Sequence, residues 1–236
     1  LRGLATELPA THAEIAAVAQ VAGQLGIATD DVVDFTRVMI NLGETTNLSA
    51  EEAATSLARM MNVMQTAPAD VERLGSTLVD LGNNAATTER DILLMAQRIS
   101  GAGAVIGLSE ADVLAFATAL SSVGIEAQAG GTAMSRVMVN IANAVAGGEE
   151  AVTGFAEVAG MSASEFARAF EEDPARAIDS FVTGLGRINT SGGNVFETLQ
   201  NLGLGEIRVR DALLRLASTQ GIVAEQLDRS SQAWAD

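Results

Sequence analysis

The sequence predicts an all-α fold built of serial antiparallel hairpins of short amphipathic helices, and three observations lead to it. Apolar residues recur at helical spacing, with no strand-like alternation. Ser or Thr repeatedly stands three residues ahead of an acid, the pattern of a reciprocal N-terminal cap. Glycine recurs where those helices should stop, while only three prolines interrupt 236 residues.

Taken in order along the chain, Thr11 with Glu14 marks the first capped start, and Gly26 its end. Val32, Phe35, Met39 and Leu42 form the apolar stripe of the next helix, which Gly43 is expected to close. Ser49 with Glu52 opens a helix whose Met60, Met61 and Met64 share one face, an adaptable core stripe. A helix ending at Gly82 follows, then a start at Thr88 with Asp91. That helix is expected to end at Gly101, with a loop before the start at Ser109 with Asp112 and an end at Gly124. Gly130 and Gly131 precede a further start, whose Met134, Val137, Ile141 and Val145 continue as an apolar face. Gly160 closes the next helix, and Ser162 with Glu165 opens another. Asp173 ahead of Pro174 starts the helix striped by Ile178, Phe181, Leu185 and Ile188, since proline fits the first helical position. Gly203 is the last predicted end.

These marks define about a dozen helices of roughly 10 to 16 residues joined by short connections. A loose repeat runs through them, a Leu-Gly or similar pair, a polar turn and a capped helix, at 24–31, 41–52, 80–91 and from 201 onward. The organisation expected is two helical lobes, 1–102 and 103–236, meeting near 103–109, or one continuous domain. Leu1 in place of an initiator Met, with no basic stretch ahead of an apolar one, predicts a piece of a longer chain without a secretory signal.

Composition excludes several functions. With 48% hydrophobic residues the chain can bury a substantial core. A net charge of −16 opposes binding to nucleic acid or anionic lipid, and much of the acid has a local explanation. Asp30, Asp31, Glu51, Glu52, Glu89, Glu110, Glu149 and Glu150 sit in or beside predicted first turns, where the helix dipole favours negative charge. The absence of Cys and Tyr, one His and 3% aromatic residues leave no thiolate chemistry, metal triad or aromatic sugar cleft, so no catalytic, cofactor-binding or metal-binding residue is assigned. His12 reads as a surface residue, and neither it nor Trp234, near the end of the chain, is assigned a function. Charge-free stretches such as 113–125 and 137–148 are shorter than the roughly 18 residues a spanning helix needs.

Three stretches carry a resemblance. The first is Ala22-Gly23-Gln24-Leu25-Gly26-Ile27, followed by the helix through Phe35 and Met39 to Asn47-Leu48-Ser49-Ala50-Glu51-Glu52. The second is Leu81-Gly82-Asn83-Asn84-Ala85-Ala86-Thr87-Thr88-Glu89, leading to Ala96-Gln97-Arg98-Ile99-Ser100-Gly101. The third is Gly124-Ile125-Glu126 through Gly130-Gly131-Thr132-Ala133-Met134-Ser135-Arg136, with Ala159-Gly160-Met161-Ser162 and Phe166 downstream. In this order and spacing they resemble the helical core region of tail tape-measure proteins of long-tailed phages. The resemblance implies a structural role inside the tail tube of a phage or prophage: setting tail length during assembly in the host cytoplasm, filling the lumen, and leaving ahead of the genome at ejection. It implies tube proteins, baseplate or tail-tip proteins, tail assembly chaperones and other copies of the chain as partners, with transient contact to the host membrane and no sequence-specific nucleic-acid binding. The long heptad tract expected of a ruler is not within these residues.

The motif residues, Gly23, Leu25, Gly26, Leu81, Gly82, Asn83, Thr88, Gly130, Gly131, Thr132, Met134, Ser135 and Arg136, are read as packing residues. For Gly130-Gly131 the rival reading is an anion-binding loop, which lacks the phosphate-loop Lys and the nucleotide fingerprint spacings. For the uncharged stretch 99–108, with Gly103 and Gly107, the rival is a membrane-perturbing ejection element.

Overall fold

The computed structural model describes residues 4–235, apart from the side chains of Ala5 and Thr6, and those residues form fourteen α-helices with no strand among them. Cap chemistry places most starts. Thr11, Ser49, Ser109 and Ser162 each accept from the backbone N–H three residues on while that residue's carboxylate takes the cap's own N–H, opening α2 (His12–Gln24), α4 (Ala50–Met64), α7 (Glu110–Ser122) and α10 (Ala163–Glu172). Thr88, at φ −123, caps α6 (Glu89–Ile106) from one side only: its hydroxyl accepts from Asp91 N–H, without the reciprocal bond from its own N–H to the Asp91 carboxylate. Asp173 caps α11 (Pro174–Thr190) by accepting from Arg176 N–H. Asn194 caps α12 (Val195–Asn201) in the same way, a start the sequence reading missed.

Gly26, Gly124, Gly160 and Gly203 lie at positive φ just beyond helix ends. There the following Ile27, Ile125, Met161 and Leu204 donate back to carbonyls of the last turn. Three other expectations are corrected. Gly43 and Gly82 do not end helices: α3 (Val32–Thr45) and α5 (Val71–Asn84) continue past them. A Cβ on Gly43 would stand 2.8 Å from Ala50 N, and one on Gly82 2.6 Å from the Glu89 side chain. Glycine is needed there for close approach of the next helix. Gly101 lies inside α6, which closes at Gly107 (φ 82) because Leu108 N–H reaches Gly103 C=O. Gly130 and Gly131 lie in the first turns of α8 (Ala127–Ala146), which starts earlier than expected after Glu126.

The helices stack in two layers by skipping one in sequence. The α2, α4, α6 and α8 helices pack side by side in one layer, and α3, α5 and α7 in the other, with α6 on α8 the most extensive contact in the molecule. Sequence neighbours α3 and α4, and α6 and α7, pack across the layers. Beyond α8, the helices α9 (Glu149–Ala159), α10 and α11 form a compact group, and α13 (Ile207–Ser218) joins α11 to α8. The last helix, α14 (Ile222–Ala235), returns to lie on α5 and α7. With α6 on one side and α14 on the other, α7 is buried on every face from Val113 to Leu120, which explains a sequence there that is apolar but for Thr118, whose hydroxyl donates to the Leu114 carbonyl. Buried side chains from Leu4 to Leu227 form one connected cluster, with Phe35, Phe116, Phe166 and Phe181 among its largest members. Residues 102 and 103 fall within α6.

Candidate interaction surfaces

The motif residues divide into two places. Gly23 and Gly26 are exposed, with open space where a Cβ would be, and Leu25 is half-buried with its carbonyl accepting from Asn62 on α4 at 2.8 Å. The second and third groups meet along α6. Leu81 is buried, Gly82 lies against Glu89, Thr88 caps the helix, and Asn83 is exposed. A Cβ on Gly130 would stand 2.7 Å from Met95 Cε and one on Gly131 2.4 Å from Arg98 Cβ, so both glycines let α8 press onto α6. Met134 is buried, and Ser135 donates to the Arg98 carbonyl at 3.2 Å. Thr132 faces solvent and donates to Gln128 C=O within its own helix, and Arg136 pairs with Glu206 at 2.8 Å.

A polar clasp joins the starts of α4 and α6. The Arg90 guanidinium pairs with both Glu52 oxygens and donates to the Asn47 carbonyl at 2.8 Å, while Arg90 N–H donates to the Asn47 side chain. Arg90 together with the Ser49 cap lowers the Glu52 carboxyl to about 2. Thr11 and Ser162 lower Glu14 and Glu165 in the same way through their caps. On α11, Asp179 is pushed up by burial, although Arg176 and the Ala224 N–H at the start of α14 favour its charged form.

Concave or apolar surface includes two regions of note. A groove of about 750 Å³ runs between α3 and α5, with Val38, Leu42, Val71 and Val79 in its floor and acids on its rims. At the far end, Phe196 and Ile207 are exposed at 54% and 77%, with the Arg210 guanidinium 5.2 Å from the Phe196 ring centre. Neither region stood out in the sequence. Among the described residues, no cluster of His, Cys, Asp or Glu could hold a metal ion, and no helix is long and apolar enough to cross a membrane.

Helix surfaces and caps of this kind do not specify a function by themselves, and comparison with known proteins decides the family. Residues 1–199 match the family model for phage-related minor tail proteins. The chain belongs to the phage-related minor tail protein family. No curated protein and no solved structure matches it. Membership makes the chain a structural component of a phage tail, in contact with other tail components. All three motif groups lie within the matched residues, whereas α13 and α14 lie beyond them.

Proposed function

We propose that this minor tail protein chain is a folded segment of a tail tape-measure protein. It acts in tail assembly, length determination and genome ejection through helix-surface contacts and not through catalysis. The observation that carries the reading is the family match over residues 1–199, within which the tape-measure-like stretches occur in order. The all-helical scaffold supports it, since its polar side chains are spent on caps and inter-helix pairs such as Arg90 with Glu52 and Arg136 with Glu206. Tube, baseplate or tail-tip proteins, assembly chaperones and further copies of the chain are the partners, inside the tube of the virion and in the host cytoplasm before that.

A compact chain of this length has a radius of gyration of about 17–18 Å, whereas one continuous helix would span roughly 350 Å. The test is tail length by electron microscopy after in-frame deletion of the segment. Shortening by about 1.5 Å per deleted residue means the segment is an extended part of the ruler. Failed assembly, or unchanged length with reduced infectivity, means a folded docking module. Tails of normal length and full infectivity would sink both roles. The alternative of a membrane-perturbing ejection domain has less support, because Ile99, Ser100 and Gly103 are all buried. Vesicle leakage induced by the purified chain would revive it.

A further inference from the structure

The layer formed by α3, α5 and α7 has two neighbouring grooves on its outer face, and among the described residues only one is filled. Between α5 and α7 lies α14, which buries Val223, Gln226, Leu227 and Ser230 and sets Arg229 3.2 Å from Asp80 on α5. Asp80 also lines the next groove, between α3 and α5. Among the described residues no helix fills this second groove, although α3 and α5 are 14 residues each, giving it a length of about 20 Å. Its floor is apolar, its facing positions follow helical spacing (Asp34, Val38, Asn41 and Thr45 on α3), and Gly75 brings α5 against Val38. Asp31, Asp34 and Glu72 give it an acidic rim, and its neighbouring cations are already engaged, Arg37 with Asp34 and Glu7 and Arg229 with Asp80.

We propose that the α3–α5 groove is a docking site for an amphipathic helix of another tail protein, seated as α14 is seated one groove along. Such a helix presents an aliphatic stripe at i, i+4 and i+7 to Val38, Leu42 and Val79, and Arg or Lys at its edges to Asp34 and Glu72. The apolar floor supplies the affinity and the acidic rim selects a basic partner over acidic helices such as α14. The inference rests on the reading of the chain as a tail component that works through helix surfaces, and it names the surface and the chemistry of the partner.

The probe is a stapled, fluorescein-labelled peptide of Ile222–Ala235 carrying Glu225→Arg and Asp228→Arg, titrated against the full chain by anisotropy. Saturable binding in the micromolar range is expected, weakening about tenfold or more for Ser76→Trp, which fills the groove from an exposed position. The doubly reversed rim, Asp34→Arg with Glu72→Arg, is expected to weaken it as much and guards against misfolding of the first variant, with circular dichroism as the check. Absence of binding, or binding unchanged in both variants, overturns the proposal. So does self-association of the chain in sedimentation that Ser76→Trp abolishes, since the groove would then belong to a second copy. A negative peptide result leaves the deletion experiment on tail length unaffected, so the two readings fail separately.

Discussion

Two glycines show how one residue type takes opposite roles. A Cβ on Gly184 of α11 would stand 1.8 Å from the Val158 carbonyl oxygen of α9, whereas one on Gly101 of α6 meets nothing within 4 Å. Gly184→Ala is therefore expected to cost about 3 kcal/mol, by forcing two backbones apart. Gly101→Ala is expected to stabilise the chain by about 0.5–1 kcal/mol, because helical glycine costs backbone entropy. Denaturant titration of both variants measures this, and equal effects would contradict the packing geometry. Acid dependence is also set residue by residue. Glu52 has a carboxyl lowered to about 2 from an ordinary 4.5, so its contribution to stability is fully present above the ordinary value and is lost as pH falls through about 2. Glu14 and Glu165 are shifted in the same direction. Glu52→Gln should lower the melting temperature at pH 7, with the gap to the parent closing between pH 4.5 and 2. A gap constant across that window would mean that the clasp with Arg90 does not act through charge.

At the scale of the element, caps are local chemistry and were legible. Ser162→Ala should cost about 1 kcal/mol by freeing backbone donors at the start of α10, as read from urea unfolding. The misread glycines share one cause. Gly43 and Gly82 follow a leucine and precede a polar turn, as a left-handed terminus would, but what they accommodate is the start of the next helix at Ala50 and Glu89. Nothing within the helix itself distinguishes the two uses. The stripe Val32, Phe35, Met39 and Leu42 correctly gave the core face of α3, while Val38, off that stripe, gave no sign that it floors a groove. That depends on α5, and the filling of the adjacent groove depends on α14, far along the chain. Although α14 lies outside the family match, Val223 and Leu227 are each only 2% exposed, so it belongs to the fold. Leu227→Ala is expected to cost about 2–5 kcal/mol; a loss near zero in thermal unfolding would make α14 a loosely attached appendage.

For the whole molecule the question is whether the chain folds as two lobes or as one body. A loop was expected after Gly101, with two lobes meeting near 103–109, whereas α6 runs unbroken from Glu89 to Ile106. Its Met95 and Arg98 pack under α8, and a Cβ on Gly103 would stand 2.9 Å from Val113 of α7. The return of α14 to α5 and α7 ties the end of the chain to its first half and its middle. In a stack of repeats, each unit contacts its neighbours and stability adds up locally, so opposite ends can melt apart. Here α14 acts as a strap across that stack, and the expected behaviour is one cooperative transition. Phe35→Ala near one end and Phe181→Ala near the other should each shift the same melting curve, by about 3–5 kcal/mol of stability, without splitting it. Calorimetry tests this directly, since a calorimetric enthalpy equal to the van't Hoff value marks a single unit. Two resolved transitions, each moved by only one of the variants, would support the two-lobe organisation instead.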